Sequence, residues 1–477
     1  MSSEKVEGDA SPPQAIPADV GEMGYGCEMR DHGADSGLIR SLETRHLLLF
    51  SVGSSIGMGL WLGSGTSLTN GGPVAIFLGY LLAGSIAWVL NQAVGELAVL
   101  YPVPSAFPQW TRKFIDAAPA FTVGWAYWFS AAITLANELQ GIVTVLRFWD
   151  DQDKVPTAAW LSIFLVLIFL INVCAVLVFG EAEALMSIVK LFWIFIVIVC
   201  CIVISAGGAP NHQKTGFEYW NSMPFTNGFK GFLSVMGTCI FAMSGCELGG
   251  VVAAEAKNPR KAVPKAVNAI WLRLSLFYII GSLMVSITVS PKDPNLFGGE
   301  GINASPFVIA FRNAQIPGLA HAMNAIIFIS VFSCGNAQAY AGTRTLVGLA
   351  GIGMAPKIFA KCDKHGRPPA AIALTFLIGG GLCYLNVSNS GSTFYLAVWP
   401  LHEKSSAETF FANYISIVAI LVLYIIAKIY FRGPLWIKAQ DIDLDSSRRI
   451  YVGDPEALIK KSVIRKTADF FTGDSTI

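Results

Sequence analysis

Apolar runs long enough to cross a bilayer recur along this chain. Measured against the roughly 20 residues that a helix needs to span hydrocarbon, ten stand out, near 47–69, 73–99, 119–147, 157–179, 185–206, 230–254, 270–290, 319–350, 369–388 and 410–431. All are predicted to be helices, because an open strand in lipid leaves its backbone unsatisfied. Several are long enough to need tilt or a break. The pattern predicts an all-α membrane protein, with a transmembrane region over 46–431 between tails at 1–45 and 432–477.

The first run has an unusual interior. It carries Gly53, Gly57, Gly59, Gly63 and Gly65, and glycine costs a helix about 1 kcal/mol per position relative to alanine. One reading is a spanning helix that breaks near Ser55 to Gly59. Irregular backbone survives at membrane depth where it is buried in protein or lines a cavity. The two broken ends would offer N–H groups to an anion and carbonyls to a cation, which suits a zwitterion such as an amino acid. The competing reading is a glycine face for close helix packing. A nucleotide loop fits less well, since neither the GxGxxG spacing nor a following GK[ST] is present.

Composition strengthens the membrane reading. The 477 residues are 53% hydrophobic and only 14% charged, against about 25% charged in soluble proteins. The net charge of +1 suggests no nucleic-acid partner. The nine cysteines are scattered, mostly inside apolar runs, and no metal-ligand spacing occurs. Neither a metal nor a cofactor is expected. Residues 1–45 are polar, acidic and rich in Gly, Ser and Pro, so they read as a disordered tail and not a signal peptide.

Basic residues alternate by side. Arg30, Arg40 and Arg45 precede the first run; Arg112 and Lys113 follow the second; Lys257, Arg260, Lys261 and Lys265 follow the sixth; Lys357, Lys361, Lys364 and Arg367 follow the eighth; Lys428 and Arg432 close the last. The positive-inside rule then puts both termini in the cytoplasm. The basic stretch after Arg432 reads as a solvated tail, with contact to anionic lipid as the alternative.

Ionisable residues inside the runs each cost about 2.5–3.5 kcal/mol on insertion scales and are functional candidates; four stand out. Glu96 lies close to an interface, so a structural role is as reasonable as a functional one. Glu138 lies deep in the third run with no basic residue one turn away, which fits a proton carrier or a packing hydrogen bond. Lys190 lies about two turns into the fifth run, within reach of snorkelling or of a coupling role. Glu247 follows Phe241, Ser244, Gly245 and Cys246 in the sixth run, a second candidate break. Interrupted first and sixth helices are what an inverted five-plus-five repeat would produce. The eighth run adds a polar stripe, Ser333, Cys334, Asn336, Gln338 and Tyr340, that either lines a cavity or pairs with neighbouring helices.

The motifs that carry these residues resemble the fungal-type amino acid permeases of the amino acid–polyamine–organocation superfamily. They are Gly53-Ser-Ser-Ile-Gly-Met-Gly-Leu60, Gly95-Glu-Leu-Ala-Val-Leu-Tyr-Pro102, Gly180-Glu-Ala-Glu183, Ser244-Gly-Cys-Glu247, Ala254-Glu-Ala-Lys-Asn-Pro-Arg-Lys261 and Ser333-Cys-Gly-Asn336, in the family's order. The resemblance, over about 40–388, implies a LeuT-like inverted-repeat transporter fold with broken helices 1 and 6. It implies that an L-amino acid is bound around Ser55, Ile56, Gly57, Met58, Gly59, Phe241, Ser244, Gly245 and Cys246. The amides of Gly57, Met58 and Gly59 would take the substrate carboxylate; the carbonyls of Ser55, Phe241 and Ser244 would face its ammonium. Glu138 and Lys190 match positions that imply coupling to a proton, with Lys190 standing where the sodium-coupled branch holds an ion. Import across the plasma membrane by alternating access is the implied activity, and no enzymatic motif competes with it.

Two departures matter. Ser54, Ser55, Met58, Cys246 and Asn137 differ from the family's usual residues near the pocket. The family also has twelve spans, whereas this chain passes from Ser388 through Asn389-Ser-Gly-Ser-Thr393 to a short apolar piece, Phe394 to Pro400. The tenth helix and most of the eleventh are predicted to be absent. That departure keeps a second possibility open, a non-transporting amino acid sensor or an inactive shortened permease.

Overall fold

A computed structural model describes residues 42–384 apart from 55, 104, 151–153, 175, 250–255, 257–258 and 297–304, together with 407–432, 437, 442 and two strand segments. The architecture is helical. α1 (Thr44–Gly53) stops at Ser54, and the chain resumes as α2 (Met58–Trp61) and α3 (Gly63–Gly71). Gly72 then takes a left-handed φ of 87°, and Pro73 opens α4 (Pro73–Leu100). A glycine that stops a helix followed by a proline that starts one is the usual punctuation. The short α5 (Ala106–Phe114) leads to α6 (Ala117–Leu146), α7 (Thr157–Val173) and α8 (Val176–Ser205). Beyond the short α9 (Glu218–Ser222) comes α10 (Gly228–Met243). α11 (Pro259–Arg273) continues through a π-helical segment, Leu274–Ile280, into α12 (Gly281–Thr288). α13 (Pro306–Asn313), α14 (Pro317–Gly351), α15 (Pro369–Tyr384) and α16 (Ala407–Phe431) complete the set.

Among the described residues, five helical stretches are individually long and apolar enough to cross a membrane: Pro73–Leu100, Ala117–Leu146, Val176–Ser205, Arg260–Thr288 and Pro317–Gly351. The bent first unit, Thr44–Gly71, adds a sixth; Thr157–Val173, Gly228–Met243, Pro369–Tyr384 and Ile417–Phe431 are shorter apolar helices. Large apolar side chains such as Val89, Phe192, Leu377 and Ile429 point outward, the face that lipid would cover.

Two boundaries differ from the hydropathy pattern. α7 ends at Val173 and α8 begins at Val176, so Gly180-Glu-Ala-Glu183 lies inside a long helix and not in the connection between two spans. The seventh helix begins at Pro259, so Arg260, Lys261 and Lys265 ride on its first turns. Averaging over a window blurs both ends, because charged first turns lower mean hydropathy without unfolding the helix.

Several ties close the structure. Lys428 donates to Asp116 at 2.7 Å, joining α16 to the start of α6. Leu42 bridges Ala256 in parallel, and both are buried. A short antiparallel ribbon pairs β1 (Glu28–Asp31) with β2 (Arg449–Tyr451), bringing the segments before α1 and after α16 together. The junction at Asn389–Thr393, where two helices are predicted to be missing, lies outside the described residues.

The turn between α14 and α15 is pinned by Arg367, which pairs with Asp363 and donates to the Val173 carbonyl at 2.7 Å. The Arg367 guanidinium holds the Asp363 carboxyl down at about 2. A depressed carboxyl stabilises above its ordinary value and loses that contribution as pH falls through the folded value. Arg367→Ala is expected to cost about 1 kcal/mol. The deficit in thermal stability should hold from neutral pH to about pH 4 and shrink below it. A deficit that grows on acidification contradicts this assignment.

Candidate functional site

α1 ends in mid-protein, so its last carbonyls have no helical partners. Lys190 on α8 supplies one. Its Nζ donates to the Gly53 carbonyl at 2.8 Å and reaches the Ile56 carbonyl at 3.5 Å. Ser330 on α14 donates to the same Ile56 carbonyl at 2.8 Å and accepts from the Trp61 indole at 2.7 Å. Lys190 is buried; it therefore points into the helix break and does not snorkel. A cation at the C-terminal end of a helix meets the negative pole of its dipole.

The opposite pole is held by a carboxylate. The Met58 amide donates to Glu138 on α6, at 3.2 Å to Oε1 and 3.0 Å to Oε2. Gly57 makes this approach possible, since a Cβ there would meet both Glu138 oxygens and lie 2.7 Å from the Cys334 sulfur. Of the three amides at which a substrate carboxylate is expected, that of Met58 is thus engaged by a side chain of the protein itself.

The second break lies beside the first. A Cβ on Gly59 would sit 2.8 Å from the Ala242 Cα and 3.1 Å from the Phe241 ring. α10 stops at Met243, Ser244 leaves the helical region, and Gly245 turns at a φ of 87°. Cys246 is buried behind it, while Ser244 is exposed. Ile56 through Gly59, Phe241, Glu138 and Lys190 are therefore brought together, with Gly245 and Cys246 at the adjoining turn. Ser55 lies outside the described residues. Glu247 accepts from the Tyr127 hydroxyl at 3.1 Å, and Glu96 is exposed near the end of α4. The glycines serve both readings of the sequence: Gly57 opens the break, and Gly59 lets α2 lie against α10.

The polar stripe of α14 pairs with neighbouring helices. The Ser333 hydroxyl accepts from Lys190 at 2.9 Å and donates to Glu183 on α8 at 2.7 Å. Asn336 donates to Glu183 at 2.6 Å and accepts from Asn172 on α7 at 2.8 Å. Two charges here were not among the sequence candidates. Glu183 is 1% exposed, two turns before Lys190 and on the same helix face. Arg273 is fully buried, donates to the Tyr278 hydroxyl at 3.0 Å and lies 3.4 Å from the Ser51 carbonyl; Tyr278 in turn donates to the Ala242 carbonyl at 2.7 Å. The seven-residue spacing of Glu183 and Lys190 was the signal available for the first. Arg273 had none beyond its place inside an apolar run. Among the described residues no cluster of His, Cys, Asp and Glu could hold a metal.

Buried charges of both signs around paired helix breaks, in an apolar helical bundle, define a membrane transport protein by class. The chain belongs to the amino acid permease family, whose sequence model matches residues 46–399. It is 36% identical to general amino-acid permease GAP2 of Candida albicans, over 91% of this chain and 85% of that protein. It is 40% identical to cationic amino acid transporter 1 of Schizosaccharomyces pombe, over 72% of this chain but 58% of that protein. The GAP2 alignment runs to 506 positions while using 91% of this chain, so that relative carries internal segments without counterpart here. Among solved structures the chain is similar to the nucleobase-cation-symport-1 transporter Mhp1, at 13% identity and a TM-score of 0.44 over 87% of this chain and 98% of that one. A Na+-coupled sialic acid symporter gives 11% and 0.46 over 84% and 93%.

The crowding at Gly57 yields a test. Gly57→Ala places a methyl on the Glu138 carboxylate and should separate it from the Met58 amide, at a cost of about 1–3 kcal/mol. The expected outcome is a lowered melting temperature and loss of binding of amino acids by the purified protein. Wild-type binding by Gly57→Ala would remove this glycine from the site.

Proposed function

We propose that this chain is a proton-coupled importer of amino acids that works by alternating access. The observation that carries the reading is the Glu138 carboxylate on the Met58 amide. An incoming amino acid presents a carboxylate of its own to the same helix end. Two carboxylates cannot share one amide without strong repulsion, so the substrate displaces Glu138. A displaced carboxylate left bare in a buried site costs several kcal/mol. Protonation removes that cost. Displacement and proton uptake are then one event, which couples one proton to one substrate.

Lys190 supports the other half of the cycle. Its ammonium neutralises the carbonyl end of α1, the place at which the family resemblance puts an ion in sodium-coupled relatives. Movement of α1 and α10 relative to α6, α8 and α14 would expose the site to one side and then the other. The substrate ammonium would face backbone carbonyls at Ser55, Phe241 and Ser244. A plasma-membrane location with both termini cytoplasmic fits the basic loops, and the β1–β2 pairing supports tails on one side.

A second reading has its own observation. The segments present in GAP2 and absent here favour a shortened permease that binds without transporting, or a sensor. Uptake of labelled amino acids at acidic and neutral outside pH, in cells lacking their own permeases, separates the two. Acid-stimulated uptake supports the importer, whereas surface protein without uptake supports the sensor.

Glu138→Gln tests the coupling. Glutamine keeps the size of the side chain but carries no titratable proton. Acid stimulation should vanish, with uptake falling roughly tenfold or more at acidic pH and surface level retained. Undiminished acid stimulation would rule Glu138 out as the carrier.

A further inference from the structure

The coupling reading uses Glu138 and Lys190 and leaves Glu183 without a task. Glu183 is 1% exposed in the middle of a helical bundle, and among the described residues no cation hydrogen-bonds to it directly. Its two oxygens are taken by neutral donors on α14: the Ser333 hydroxyl on Oε2 at 2.7 Å and the Asn336 amide on Oε1 at 2.6 Å. Ser333 also accepts from the Lys190 ammonium at 2.9 Å. The result is a continuous chain of donors: Lys190 to Ser333, and Ser333 to Glu183. Asn172 orients Asn336 by donating to its carbonyl oxygen at 2.8 Å, and is anchored on the Ile168 carbonyl at 3.1 Å.

We propose that Glu183 is the proton acceptor for Lys190, reached through the Ser333 hydroxyl, and that this transfer sets the grip of Lys190 on the first broken helix. This rests on the proton-coupled reading above. The step balances internally. An N–H bond of the ammonium breaks and its proton goes to the Ser333 oxygen. The Ser333 hydroxyl proton passes to Glu183 Oε2, where an O–H bond forms. The ammonium becomes an amine, the carboxylate becomes a carboxylic acid, and the serine is restored. The sum of charge does not change, and two charges in a low-dielectric interior become two neutral groups. Burial favours the neutral pair and mutual attraction favours the charged one, so the groups packed around the pair decide which form holds.

The consequence reaches α1. As an ammonium, Lys190 holds the Gly53 and Ile56 carbonyls. As an amine it keeps weaker donors and no charge, and the half-helix loses the counter-charge at its negative pole. Glu183 is thus a positioning residue for α1 that acts through Lys190. The groups facing this pair come from every packed element. α14 contributes Ser333, Asn336 and Cys334; α7 contributes Asn172; α6 contributes Glu138. Arg273 on α11 repels the ammonium. Glu181, two residues before Glu183 and so on the far side of α8, is engaged outside the pair by Arg45 and His46, at 2.5 and 3.0 Å.

The test uses the full chain in permease-deficient cells, with surface level scored beside uptake against outside pH. Glu183→Gln removes the acceptor, and Ser333→Ala removes the bridge. Each should flatten the pH profile and lower the maximal rate roughly tenfold, with KM at acidic pH within about twofold of wild type. Ser333→Thr keeps the hydroxyl and should restore the profile. A role in packing alone would not be rescued in this way.

Acid-stimulated wild-type uptake with an unchanged profile in Glu183→Gln or Ser333→Ala overturns this inference and leaves the importer reading standing. Flat or absent wild-type uptake overturns the importer reading. Infrared spectra of purified wild type and variants, compared at one neutral pH, then decide Glu183 without transport. A protonated-carboxyl band that is lost in Glu183→Gln and shifted in Ser333→Ala supports the proton site; its persistence in Glu183→Gln refutes it.

Discussion

A helix that stops in mid-membrane leaves carbonyls facing one way and amides facing the other, and each end needs a partner of opposite sign. The rest of this site follows from that constraint. Lys190 meets the carbonyls of Gly53 and Ile56, and Glu138 meets the amide of Met58. Each charge is costly alone in a buried position. Each is stabilised by the pole it faces, and the helix break is stabilised by both. Removing either side chain leaves a bare helix pole, and removing the break would leave two bare charges.

The break also requires close packing around it. Gly57 admits the Glu138 carboxylate, and Gly59 admits the backbone of α10. Through these two contacts α6 and α10 touch the same four-residue turn from different sides. Tyr278 extends the link, because its hydroxyl joins Arg273 on α11 to the last turn of α10. The π-helical segment that carries Tyr278 widens the seventh helix at this level; such bulges recur at functional sites.

Much of this was legible in the sequence. The glycine spacing from Gly53 to Gly65 marked the break, and Glu138 and Lys190 stood out as charges in apolar runs. Family motifs fixed their order. Glu183 was not legible because a window of hydropathy placed Gly180–Glu183 in a connection, while the chain turns earlier, at Cys174. Arg273 lies only three residues into its run, beside a basic stretch that α11 in fact takes up as its first turns, and nothing in the sequence set it apart. In both cases the missing information was where a helix begins, which depends on packing and capping more than on mean apolarity. The choice between a cavity lining and a helix contact for the α14 stripe was equally beyond the sequence, since it depends on what Glu183 and Asn172 present to it.

The balance of charge around the break gives the arrangement its direction. Among the described residues, Lys190 and Arg273 are the cations around the break; Glu138, Glu183 and the half-buried Glu247 are the carboxylates. Two positive groups against three negative ones leave the cluster one proton short of neutrality. In a medium of low dielectric that shortfall is expensive wherever it is placed, so a proton is favoured somewhere in the cluster. An amino acid adds a cation and an anion together and does not alter the sum. In the proposed cycle it alters where the shortfall falls, by taking the amide that Glu138 uses. On the proton-coupled reading proposed above, substrate and proton are linked through the distribution of charge, without requiring that they touch.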